Sequence, residues 1–366
     1  MDGFCHPKLT NPRNDVVVLI PEPVAAVVPR PAPWERGPLG FVRKHPVLFL
    51  ALLTPGIPEY LSGSSPVAAL LTNPLQFVFQ LVLNLGLYCP GVLLIREAAV
   101  RWHRGWPSIL LMGAAYGILE EGIALSTLFN PASQVVVSSN LGQYGHWLGV
   151  NWIWLEGILL VHMIFSVSIP ILLLGLAVPG LRGVSLLNDK RVTVVSAVLG
   201  VDVLVLSLLI YYGQHFWMGT PVFVGGVLSM LGLTYLARRA PADLPSRKVV
   251  APKFGLKTTA VAGCLVYPGI LFVEVLTRKT VAPLTFVLVL FFEAGCLWWV
   301  LNHLNFPHNE RHLVAFVLGL TVPIMLFGVV SQFPLDLVLV LDLALFLLFS
   351  NLLKMYPATT LVSRST

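Results

Sequence analysis

The sequence predicts an all-α, polytopic integral membrane fold of about ten transmembrane helices in a five-plus-five inverted repeat. Three observations predict it. Hydrophobic residues make up 56% of the 366 positions and charged residues only 11%, a composition that overrides the soluble multidomain expectation from length. Apolar stretches long enough to cross a hydrocarbon core recur to the C-terminus. Finally, five segments of the first half have counterparts in the same order in the second. Because five is odd, the second copy would lie upside down in the bilayer, the layout of many secondary transporters.

Residues 1–44 contain Pro21, Pro23, Pro29, Pro31 and Pro33 and read as a disordered, Pro-rich cytoplasmic tail. Val16–Ile20 is too short for a signal-peptide core and is followed by Pro21 and Glu22. The expected spans then run over 46–62, 76–99, 106–128, 149–176 and 193–212, within a first five-helix repeat at 45–212. A second repeat at 213–356 holds spans at 220–237, 257–277, 283–303, 313–331 and 334–354. Residues 357–366 read as a second cytoplasmic tail.

The repeat rests on Pro, Gly, Tyr and charged positions. Spans 1 and 6 align Pro46 with Pro221, Thr54 with Ser229 and Tyr60-Leu61 with Tyr235-Leu236. Spans 2 and 7 share a Pro-Gly, at Pro90-Gly91 and Pro268-Gly269, each with an arginine downstream (Arg101, Arg278). Spans 3 and 8 share Glu120 with Gly122 and Glu293 with Gly295. Spans 4 and 9 read SIPILLLGL from Ser168 and TVPIMLFGV from Thr321, and spans 5 and 10 each hold one aspartate, Asp202 and Asp342. Proline removes a backbone donor and breaks the local ladder. Pro90-Gly91 and Pro268-Gly269 are therefore expected to mark broken or kinked helices lining a pathway, where freed carbonyls find protein or water.

The net charge of +6 follows membrane orientation rather than nucleic-acid binding. With both termini placed in the cytoplasm, all 23 Lys and Arg except Arg96, Arg278 and Lys279 fall inside, the positive-inside pattern of a cytoplasmic (cell) membrane protein. The outward Arg278-Lys279 pair fits an inherited position inverted with its helix. The partner this implies is the lipid bilayer. Four cysteines without a CxxC pair indicate neither a disulfide framework nor a thiolate metal site, and no metal or cofactor is assigned. No GxxxxGK[ST], GxGxxG or HExxH motif occurs.

Ionisable residues within spans are costly and face the bundle interior. Glu120 and Glu121 lie roughly 20 Å along span 3, and His162 falls near the middle of span 4. With Glu59 and Glu156 they are expected to converge on a substrate- or proton-binding site. Gly113, Gly117 and Glu121 share one helix face, so Glu121 should meet a neighbouring helix while Glu120, about 100° round, should not. Two carboxylates this close in low dielectric would rarely both be ionised. The bland alternative makes each an interhelical hydrogen-bond donor. His162 and Ser166 share a face. Arg96 and Glu97 read as a structural anchor or a partner of Asp202, and Asp336 as wet. The loop 129–148, with Asn130, Asn140, Tyr144, His146 and Trp147, is a lid or an interfacial segment.

Adjacent glutamates in one span followed by a histidine in the next resemble the CAAX-protease and bacteriocin-processing (CPBP) intramembrane proteases. There a Glu-Glu pair leads an EExxxR motif and histidines on later helices help activate water. The resemblance implies hydrolytic roles for Glu120, Glu121 and His162. No arginine follows the pair in its span, Ile158 stands where the family has Phe four before His162, and no later span carries a His with Asn or Asp four residues on. Three readings follow: a secondary transporter of a small solute or ion, which leads on layout; an intramembrane protease; and a membrane scaffold whose glutamates hold helices together.

Overall fold

The computed structural model describes residues 38–242, 254–303, 309–334 and 337–356. Residues 1–37, the tail at 357–366 and Asp336 lie outside them. The described residues are mostly helical. They open with α1 (Pro38–Lys44), α2 (Pro46–Pro55), a π-helical segment π1 (Gly56–Leu61), the single turn α3 (Ala69–Thr72) and α4 (Pro74–Arg101). Then come α5 (Trp106–Gly117), π2 (Ile118–Ala124), α6 (Gln134–Ser138) and a minimal hairpin of β1 (His146–Trp147) and β2 (Val150–Asn151). α7 (Trp152–Val161), π3 (His162–Ser168) and α8 (Ile169–Ala177) form one continuous run, followed by α9 (Asp189–Gln214) and α10 (Thr220–Arg239). The last four are α11 (Leu256–Thr277), α12 (Ala282–His303), α13 (Glu310–Gln332) and α14 (Val338–Met355).

Each expected span overlaps a helix, the third ending at Ala124 and the last starting at Val338. Among the described residues eight helices are long and apolar enough to cross a membrane by length and composition. Pro46–Leu61 is apolar but shorter, and the α5–π2 run is interrupted in hydropathy by its two glutamates. The helices start where the sequence supplies caps. Asn73 accepts from Gln76 N ahead of Pro74, Asn151 accepts from Trp154 N at 3.0 Å, and Asn188 accepts from Arg191 N at 2.9 Å.

Two cores organise the bundle. One joins α2, π1, α8, α13 and α14 through Leu50, Ile57, Leu173, Leu174, Leu320 and Phe349. The other packs α4 on α5 and π3 through Tyr88, Val92, Ile95, Met112, Tyr116 and Val167. By contrast only 6% of the apolar window of α9, and 11% of that of α10 and of α12, is buried. Their outward Val and Leu side chains suit lipid rather than water. α11 and α13 approach almost backbone to backbone. A Cβ at Gly263 would lie 2.2 Å from the Phe316 carbonyl oxygen, and one at Gly319 would lie 1.9 Å from that of Ala260.

Several expectations change. Pro38–Lys44 is not tail but a helix, with Leu39 and Val42 buried in the first core. Neither Pro90 nor Pro268 breaks its helix, since α4 and α11 run through them uninterrupted. What the adjacent glycines do is seat aromatic rings of the following span, Tyr116 over Gly91 and Phe292 over Gly269. That packing recurs in both halves, but other neighbours differ: α4 packs on α2 and α9, whereas α11 packs chiefly on α13. Among the described residues the π-helical departures from the α-helical ladder are π1, π2 and π3, all in the first half.

Candidate functional site

The three π-helical segments carry Glu59 (π1), Glu120 and Glu121 (π2), and His162 with Ser166 (π3). A π-turn inserts a residue into the α-helical ladder and re-aims the side chains around it, which is why such turns concentrate at functional sites. The small face predicted on α5 is the one against which π3 packs. A Cβ at Gly113 would reach Met163 Cα at 3.0 Å, and one at Gly117 would reach Leu159 Cδ2 at 2.6 Å and His162 Cβ at 3.3 Å. Glycine at these positions lets the histidine segment come close enough for its imidazole to meet the glutamates.

Both glutamates meet it. Glu121 Oε1 lies 3.2 Å from His162 Nε2, and Glu120 Oε2 lies 3.3 Å from Nδ1. The expectation that Glu120 could not share this neighbour fails because the α-helical 100° step does not hold through π2. The contacts differ in kind. Nδ1 also faces Ser166 Oγ at 3.1 Å, and Glu120 Oε2 is left without an aligned hydrogen bond, so its approach to the ring is electrostatic. Glu121 is more firmly held, because its other oxygen accepts from the Thr127 hydroxyl, which in turn accepts from Trp154 Nε1 at 3.1 Å. Glu120, Glu121 and His162 are 2%, 7% and 1% exposed.

Glu59 stands one ring away. Its carboxylate accepts from the Tyr88 hydroxyl and from Ser65 Oγ, each at 2.7 Å. Ser65 Oγ is held in turn by Gln80 Nε2 and Asn84 Nδ2. The rings of Tyr88 and Tyr116 lie 6.3 and 5.8 Å from that of His162, and both phenols are within electrostatic reach of Glu120. The Tyr116 hydroxyl is buried without a hydrogen-bond partner.

Glu156 does not join this group. It is buried with both carboxylate oxygens unpartnered, and the charges that act on it belong to Glu293 and Glu274. Six residues ahead of His162, it turns toward α12 instead. Asp202 does not reach Arg96 either: it sits over Gly86 of α4, where a Cβ would lie 2.4 Å from Oδ1. Arg96 is an anchor, donating to Glu97 at 3.1 Å and to the carbonyls of Leu181 and Val184 at 2.6 and 2.8 Å. The loop 129–148 is folded rather than open. Asn130 Nδ2 donates to Gln214 Oε1, Tyr144 shares a hydrogen bond with Thr285 at 2.6 Å, and Trp147 stacks on Trp152.

Although the sequence assigned no metal, Glu120, Glu121 and His162 offer one donor atom each within 4.8 Å of one another. Ligands of a tetrahedral ion stand roughly 3.5 Å apart, so a small contraction would let the three hold one divalent ion and leave a position open. Ser166 and Thr127 already occupy the outer-shell places such a site uses. Two carboxylates and an imidazole suit zinc, manganese or iron.

Sequence reading missed Tyr88, Tyr116, Thr127, Trp154 and Ser65. For Tyr88, Tyr116 and Trp154 the available signal was a phenol or indole inside an apolar span, since a buried O–H or N–H of that kind needs a partner. Searches against protein-family models, curated proteins and solved structures found no match to this chain.

Proposed function

We propose that this chain is an intramembrane hydrolase of peptide bonds whose water-activating centre is Glu120, Glu121 and His162. The observation that supports it is the contact of both carboxylates with the two ring nitrogens of one buried imidazole. Glu120 is the general base in this reading, because Oε2 is the carboxylate oxygen of the pair with free acceptor capacity. It takes a proton from a water whose oxygen attacks the scissile carbonyl carbon. The C–N bond then breaks, and the leaving amine takes the proton back from the Glu120–His162 pair. Glu121, tied to Thr127 and His162, orients the ring. A bound divalent ion would supply Lewis-acid polarisation at the same three residues. This is the chemistry the CPBP resemblance implies for the same residues.

The architecture proposed with it is ten spans with both termini cytoplasmic in the cell membrane, the second five-helix unit supporting the first. Unequal packing of the two halves weighs against a symmetric rocking transporter. One observation favours transport as a second reading: both carboxylate oxygens of Glu156 of α7 and Oε1 of Glu293 of α12 are buried without hydrogen-bond partners, in helices that pack together across the two halves, where a proton or cationic solute could bind.

The test is reconstitution into liposomes with fluorogenic transmembrane peptides, comparing wild type with Glu120→Gln and His162→Gln. Cleavage by wild type alone supports hydrolysis. If no peptide in a broad library is cleaved while proton or cation flux depends on Glu156, transport replaces it.

A further inference from the structure

The ends of α13 and α14 that carry Arg311 and Lys354 border a groove of about 480 Å³. The two helices run antiparallel, so Arg311 in the first turn of α13 and Lys354 in the last turn of α14 come to the same end of the bundle. Below the cations the groove is lined by Ser350 and by Leu318, Phe346 and Phe349. Two cations and a hydroxyl thus sit above an apolar floor. Arg311 Nε is buried without a hydrogen-bond partner, so a donor waits there for an acceptor. The neighbouring acid, Glu310, pairs with Arg182 at 3.4 Å.

We infer that this groove binds an anionic phospholipid, with its phosphate between Arg311 and Lys354 and an acyl chain along Leu318, Phe346 and Phe349. Basic pockets between membrane helices on the cytoplasmic side are suited to such headgroups. The inference is independent of the Glu120–Glu121–His162 centre.

Full-length protein stripped of lipid in neutral detergent is titrated with phosphatidylglycerol or phosphatidylcholine and read by native mass spectrometry. Wild type should retain phosphatidylglycerol at least about tenfold better than phosphatidylcholine. Arg311→Gln with Lys354→Gln should erase the preference, while Arg239→Gln with Lys257→Gln should leave it. Ser350→Trp, which fills the groove with both cations intact, should also release the lipid; this variant decides the matter if the double variant fails to fold. Inorganic phosphate distinguishes the sources: if it binds and phosphatidylglycerol does not, the groove takes a free anion and the lipid assignment is wrong. Equal retention of the two lipids, or a preference untouched by all three groove substitutions, overturns it as well.

Discussion

The Tyr88 hydroxyl donates to Glu59 Oε1 at 2.7 Å while the Tyr88 ring lies against His162, so one side chain ties Glu59 to the Glu–Glu–His centre. Tyr88→Phe keeps the ring and removes only the donor. It leaves the half-buried Glu59 held by Ser65 alone and should cost on the order of 1 kcal/mol, the net contribution of one such hydrogen bond. Thermal unfolding in detergent measures this. A Tyr88→Phe/Glu59→Gln cycle should show strongly non-additive losses, and additive losses would mean the hydrogen bond contributes nothing.

Glu120 and Glu121 are neighbours with different duties, and their substitutions should separate. Glu120→Gln removes an oxygen that no protein donor aligns with, so the fold should tolerate it while peptide cleavage falls about 10²–10⁴-fold. Glu121→Gln disturbs the bonds to Thr127 and His162 and should lower both activity and melting temperature. The paired readout is cleavage rate and melting temperature on the same preparations. Equal melting losses with no activity in either protein would leave the pair a structural clamp, as in the scaffold reading.

Glycine substitutions should divide by what the new methyl meets. At Gly117 it meets the flexible end of Leu159 first and His162 Cβ only at 3.3 Å. Gly117→Ala should therefore fold with a small stability loss, of order 1 kcal/mol, and show its main effect as reduced turnover from a displaced imidazole. At Gly319 the methyl meets the Ala260 backbone, which cannot step aside. Gly319→Ala should cost about 1–3 kcal/mol or more by prising α13 from α11, with any turnover loss following stability. Melting curves and specific activity of the folded fraction test both.

The sequence made the helices legible because each span is a long apolar run ended by Pro, Gly or charge, and these signals are local. The Gly113–Gly117 face was legible for the same reason, since its spacing is a helical period. The π-turns were not. Nothing local separates GILEEGIA from an ordinary α-helical run, so the 100° rule wrongly kept Glu120 from His162. Glu156 was misplaced because its azimuth was not legible: it shares the helical run of His162 yet lies toward α12. Tyr88 and Thr127 were invisible because their partners lie on π1 and π2, contacts set by helix packing. Pro90 and Pro268 do not end their helices, because a proline inside a span can be bridged where neighbouring helices pack closely.

Metal content provides the last test of the centre. Three donors within 4.8 Å with outer-shell partners in place should bind one zinc or manganese ion per chain. At a metal concentration 100 times the dissociation constant, binding stabilises the native state by about 2.7 kcal/mol, a clear upward shift in melting temperature. Glu121→Gln with His162→Gln removes two of the three ligands and should abolish the shift. Loss of cleavage on chelation, restored by one of these ions, would place the metal in the reaction. Cleavage that survives chelation, in a protein whose melting temperature no divalent ion moves, would instead leave Glu120 and His162 to activate water unaided. In that second case the contacts to the two nitrogens of His162 support Glu120 as base and Glu121 as orienting group, whereas a bound ion would take both carboxylates as ligands and replace those roles.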